Sequence, residues 1–76
     1  MNNTRNQTLI IAFGKHIRFL RKEKKLTMEK LAELANVEYT QIANIERGKT
    51  NTTISTAYAL AKALSVSFEK LFTFEI

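Results

Sequence analysis

The chain has 76 residues, 45% of them hydrophobic, with 12 Lys and Arg against 7 Asp and Glu and no cysteine. This length supports one small domain with a modest core. The absence of cysteine excludes disulfides and thiolate metal sites, and no apolar run approaches the ~20 residues of a membrane span. The net charge of +5 suits a polyanionic partner, and most of the basic residues lie between Arg5 and Lys49. No signal-peptide cleavage pattern follows the apolar patch at residues 9–13, so a cytoplasmic location is expected.

Residues 1–8 are polar and aperiodic and read as a flexible N-terminal arm. Ile10, Phe13, Ile17 and Leu20 then recur at helical spacing, which predicts a first helix over 9–24. Arg21 falls four residues after Ile17, beside that stripe, where a charge needs a partner. Lys22 to Lys25 read as solvated surface. Leu26 enters the core, and Thr27 is a good N-cap for a second helix over 28–35, with Glu29 favoured in its first turn. Lys30 occupies the place where a capping box needs Glu or Gln, so the box is incomplete. Leu31, Ala32 and one of Leu34 and Ala35 face inward, Asn36 ends the helix, and Val37 plugs the turn.

A third helix is predicted over 38–47. Ile42 and Ile45 face inward with Glu46 close by; Tyr39, Thr40, Ala43, Asn44 and Arg47 face outward. Gly48 is placed to end it in the left-handed conformation. A polar loop, KTNTT, follows. Thr53 caps a fourth helix over 54–64, with Ile54, Ala57, Leu60, Ala61 and Leu64 as its buried stripe. Val66 fills a gap, and Ser67 caps a short last helix over 68–72. The pattern is all-α, a compact five-helix bundle. Residues 9–76 form one unit, whose C-terminal region is read as a dimerisation region.

The stretch MEKLAELANVEYTQIANIER, residues 28–47, has the spacing of two short helices crossing closely. Its fifth place is Ala32, small enough for the crossing. Its ninth is Asn36, which tolerates the left-handed conformation. Its fifteenth and eighteenth, Ile42 and Ile45, share one face and enter the core. This is a helix-turn-helix arrangement, whose second helix can enter the major groove of DNA.

IRFLR, LTMEKLAELANV, IERGK and ALSVSFEKLF occur in the order that makes residues 13–72 resemble the phage-repressor-like, Cro/C1-type or XRE family of helix-turn-helix proteins. The resemblance implies a lambda-repressor-like fold and a sequence-specific regulator acting as a dimer on palindromic duplex DNA. It implies base reading by Tyr39, Thr40 and Asn44, with Glu38, Ala43 and Arg47 flanking. It implies phosphate contacts from Arg47, Lys49, Thr50, Asn51 and Thr52, helped by Lys15 and Arg18. It also pairs Arg21 with Glu46, a partner that the position of both charges beside apolar stripes independently requires.

Two residues depart from the family. Glu38 stands where Ser or Thr is usual; a carboxylate caps but repels phosphate, and capping is the expected role, with a bond from cytosine N4 as the alternative. Met28 stands where glutamine often clamps a phosphate, leaving its backbone N–H for that contact.

Phe68, Phe72, Phe74 and Ile76 exceed what one short helix can bury, and Phe19 lies off the first helix's stripe. A homodimer through the last helix and tail is therefore expected, against the alternative that Phe74 and Ile76 fold back on their own chain. A Cro-like repressor, a restriction-modification controller and a small autoregulator all fit; an antitoxin that also binds a partner protein is the alternative. His16 is the single histidine and reads as a surface residue. With no metal-ligand spacing, phosphate-binding glycine loop or nucleophile motif, no enzyme, cofactor or small-molecule ligand is expected.

Overall fold

The computed structural model describes residues 4–76. The chain folds into α1 (Gln7–Glu23), α2 (Met28–Ala35), α3 (Tyr39–Glu46), α4 (Ile54–Leu64) and α5 (Phe68–Leu71). Four of these helices start on a side-chain oxygen that accepts from a backbone N–H three residues on: Asn6 from Leu9, Thr27 from Lys30, Thr53 from Thr56 and Ser67 from Lys70. The Asn6 cap begins α1 two residues earlier than the apolar stripe predicts. The expected arm at 1–8 is thereby shortened, and residues 1–3 lie outside the described residues. Glu38 is the exception. It occupies the N-cap place of α3 but makes no capping bond, so the expected capping role is corrected.

The helix ends follow one plan. Lys25, Asn36, Gly48 and Ser65 stand just past α1 to α4, each in the left-handed conformation (φ 59, 57, 73 and 57°). The next residue's N–H reaches back to a carbonyl of the last turn: Leu26 to Arg21, Val37 to Ala32, Lys49 to Asn44 and Val66 to Ala61. These are Schellman ends. In three of them the following residue, Leu26, Val37 or Val66, packs on the core. At α3 that place holds Lys49, which is exposed.

The core is a single cluster. Ile17, Leu20, Leu31, Ile42, Leu60 and Leu71 are fully enclosed, and Ile45 and Leu64 nearly so. Ala32 and Ala35 are buried where α2 meets its neighbours, while Leu34 is half-exposed. Ile54 departs from expectation at 80% exposed; it is the first residue of α4, next to its cap, and lies beyond the edge of the core. α3 packs on both α1 and α2, α2 also on α4, and α5 on α4.

An ion pair ties α1 to α3. Arg21 Nε donates to Glu46 Oε2 at 2.6 Å and Nη2 to Oε1 at 3.0 Å, while Nη1 donates to the Leu26 carbonyl at 2.9 Å. Both side chains are nearly enclosed, with 11% and 5% of their surface accessible. The hydrogen bond that Arg21 donates to Glu46 raises the Arg21 pKa and outweighs the opposing effect of desolvation. The guanidinium stays charged, and the two-toothed geometry holds α1, α3 and the α1–α2 turn together.

Candidate nucleic-acid interface

α3 lies across α1 and α2 and turns one side outward. Tyr39, Thr40, Glu38 and Arg47 are exposed, and Ala43 and Asn44 half-buried, so every residue expected to read bases reaches this surface. Arg47 folds back along the helix. Its Nη2 donates to Asn44 Oδ1 at 3.0 Å and its Nε to the Ala43 carbonyl at 3.4 Å. Only oxygen can accept from a guanidinium, so the Asn44 amide is oriented, with its N–H donors turned away from Arg47. The second lone pair of Oδ1 and those N–H groups make the acceptor-donor pair that an adenine edge needs.

Two groups of side chains flank this helix. On one flank Arg18, Arg21, Met28, Tyr39, Ala43, Glu46 and Arg47 line an open groove of about 480 Å³. Glu46 and Arg21 neutralise each other there, which leaves Arg18 and Arg47 as its net positive charge. Met28 half-buries its side chain against the core, and its N–H opens α2. The other flank is the loop after Gly48, where Lys49 and Asn51 are exposed and Thr50 half-buried.

Thr52 differs from expectation. Its Oγ1 is buried and has no hydrogen-bond partner among the described residues, and the residue lines a cleft of about 170 Å³ with Leu9, Phe13 and Phe72. A phosphate cannot reach that hydroxyl. Lys15 is also set apart, beside Thr8, His16 and Phe74 and away from the α3 groove.

Gly14 sets how closely α1 approaches α3, and the helical periodicity alone does not single it out. A Cβ there would collide with the Ile45 carbonyl oxygen and lie 3.1 Å from that of Glu46. Its absence lets α1 approach the backbone of α3. The signal is present in the sequence, since a glycine inside a helical pattern is unfavourable relative to alanine and needs a packing reason. Gly48 is constrained twice, by its positive φ and by Ile11, whose Cγ1 would stand 2.7 Å from an added Cβ.

The aromatic residues form a line rather than a tail patch. Phe74 is half-buried, its ring 5.1 Å from His16 and 6.3 Å from Phe13, so it folds back on its own chain. His16 is correspondingly half-buried, with Nε2 2.9 Å from the Lys70 carbonyl. Phe72 stacks on Phe13 at 5.4 Å and meets Phe68 at 5.1 Å. Beyond Phe68 stands Tyr58, 6.4 Å away. Leu9, Ile54, Tyr58, Phe68 and Phe72 are all exposed. Ile54 joins them, lining both the cleft with Leu9 and Phe72 and a shallow groove with Tyr58 and Phe68.

A two-helix reading head with oriented polar groups and flanking cations defines a helix-turn-helix DNA-binding protein. The family model described as helix-turn-helix matches residues 17–71, and the chain belongs to that family, of the Cro/C1 type. It is 45% identical over 53 residues to the immunity repressor protein of Bacillus phage phi105, covering 70% of this chain and 37% of that protein. It is 41% identical over 60 residues to the control protein C.SmaI of Serratia marcescens, covering 79% and 71%. Among solved structures, the restriction-modification controller protein C.AhdI from Aeromonas hydrophila superposes with a TM-score of 0.81 at 33% identity, over 88% of this chain and all of that one. The family is one of DNA-binding transcriptional regulators, not of enzymes. Among the described residues no helix is long and apolar enough to cross a membrane.

Proposed function

We propose that two copies of this chain bind a pseudo-palindromic duplex operator and regulate transcription as a small repressor or restriction-modification controller in the cytoplasm. The observation that carries this reading is the exposed face of α3, with the Asn44 amide oriented by Arg47 and cations on both flanks. Asn44 pairs with adenine, Thr40 bonds a base or touches a thymine methyl, and Tyr39 meets a base or the backbone. Glu38, not engaged in capping, is available to cytosine N4. Arg18, Arg47, Lys49, Thr50 and Asn51 meet phosphates through side chains; Met28 and Thr52 have only their backbone N–H groups for this. The relatives are repressors and controllers, and no observation favours the antitoxin alternative.

Selection of bound sequences from random duplexes tests the reading. The expected product is a pair of inverted half-sites about one turn, ~34 Å, apart; no enrichment of any sequence would sink it. Within that assay Asn44→Ala is expected to cost about 1–3 kcal/mol on the selected site and to relax base choice. Lys49→Ala is expected to weaken all duplexes alike and to lower the salt slope by about one.

The exposed set Leu9, Ile54, Tyr58, Phe68 and Phe72 is the surface we assign to self-association. It replaces Phe74 with residues of α1 and α4, and Ile76, 73% exposed at the terminus, stands outside it. Ile54→Asp leaves the core untouched, so folding is retained. It is expected to give a monomer in sedimentation at tens of micromolar, where the unaltered chain is a dimer. Operator affinity should fall ~100-fold or more as the second binding event ceases to be intramolecular. A monomeric unaltered chain at that concentration would refute the assignment.

A further inference from the structure

The α3 end lacks the apolar plug that pins the other three Schellman ends, yet it leads into the loop that carries Lys49, Thr50 and Asn51. Its place is taken from a distant part of the sequence. Gln7 Nε2 donates to the Gly48 carbonyl at 2.8 Å. Gln7 Oε1 accepts from Arg5 Nε at 3.3 Å and from Arg5 Nη2 at 3.2 Å, and the same Nη2 donates to the Lys49 carbonyl at 3.3 Å. The guanidinium can only donate, so it fixes the Gln7 amide with oxygen toward Arg5 and nitrogen toward Gly48. Gln7 is also the first residue of α1, behind the Asn6 cap. It therefore stands on a helix that Gly14 and the Arg21–Glu46 pair already hold against α3.

We propose that Gln7 is a positioning residue for DNA binding. It fixes the exit of α3, and through it the phosphate-contacting loop, in place of the core-seated plug that a cation has displaced. A buried side chain after Gly48 would secure the turn but withdraw its charge from DNA. An external hydrogen bond secures the turn and leaves Lys49 outside. The proposal rests on the reading that residues 49–51 meet phosphate.

The test uses the full chain with Gln7→Met and Gln7→Lys, two straight side chains of similar length and helix propensity. Methionine has no donor, whereas the lysine ammonium can donate to the Gly48 carbonyl. Amide hydrogen exchange of Gly48 and Lys49, whose N–H groups donate to the Ile45 and Asn44 carbonyls, is read first in the free protein, and affinity for the selected operator across a salt series second. Gln7→Met is expected to speed exchange at the α3 exit, to leave the chain folded with a small drop in unfolding midpoint, and to weaken operator binding by up to about fivefold, the worth of one ordinary hydrogen bond. The salt slope should not change, because no phosphate contact is removed. Gln7→Lys is expected to restore slow exchange. Unchanged exchange at the α3 exit in Gln7→Met beside normal DNA binding would overturn the brace alone. Faster exchange with unaltered affinity would overturn its part in binding. Failure of the unaltered chain to retain any duplex would overturn the parent reading and this one with it.

Discussion

Glu46→Ala is expected to lose about 3–5 kcal/mol of stability in urea unfolding, the range for breaking a buried ion pair from one side. The cause is what remains. Arg21 keeps only the Leu26 carbonyl of its three hydrogen bonds, so a charged guanidinium stays enclosed beside Ile17 and Leu20 without its counter-charge. A domain of this size holds only about 3–5 kcal/mol in total, so the variant should sit close to its unfolding midpoint at 25 °C even without denaturant. Arg21→Met together with Glu46→Leu removes both charges and fills the space, and it should lose much less. A double-mutant cycle with no coupling would show that the two side chains act independently. The raised Arg21 pKa gives the sign of the pH dependence. A folded-state pKa above the unfolded one stabilises at all lower pH and is lost only as pH rises through the folded value. The guanidinium side of the pair therefore contributes undiminished from neutral pH into mildly alkaline solution.

The second large effect is expected at Gly14, and its direction runs against helix propensity. In an isolated helix, Gly14→Ala would gain about 1 kcal/mol. Here the new methyl meets the carbonyl oxygens of Ile45 and Glu46. These are backbone atoms that cannot rotate aside, so α1 and α3 must separate. Overpacking of this kind costs about 1–3 kcal/mol, occasionally more, and the shift also stretches the Arg21–Glu46 bonds. A net loss near ~2 kcal/mol in denaturant unfolding is expected, together with weaker operator binding because α3 is displaced. An alanine variant as stable as the unaltered chain would show that the crossing has slack.

Much of this architecture is legible in the residues because the signals are local. Thr27, Asn36, Thr53 and Ser67 mark helix limits by side-chain chemistry, and the stripe of Ile10, Phe13, Ile17 and Leu20 marks the buried face of α1. Arg21 and Glu46 are legible as charges that have no place beside apolar stripes unless they meet. What escapes depends on distance in space. Ile54 fits the periodic stripe of α4, but the side chains around its end of the helix leave it open to solvent. Thr52 has the chemistry of a phosphate ligand, yet the path of the loop buries its hydroxyl. Phe74 has one ring and two available destinations, and only the fold selects Phe13 and His16. Lys25 and Ser65 adopt left-handed turns with neither glycine nor asparagine, at about 1–2 kcal/mol each, which no composition rule anticipates. Resemblance to a family is the ground for proposing that this face of α3 reads bases; the orientation of Asn44 by Arg47 emerges only from their geometry.

The loop after Gly48 borders two territories. Thr50 and Asn51 line the cleft that Leu9, Ile54 and Phe72 complete, so the segment assigned to the phosphates also edges the surface assigned to the second copy. Thermodynamic reciprocity then applies: whatever factor pairing adds to operator affinity, the operator adds to pairing. Occupancy of the site should rise more steeply than in proportion to the number of molecules present. Such a chain would act as a gauge of its own dose, silent while copies are scarce and engaged once they pass a threshold.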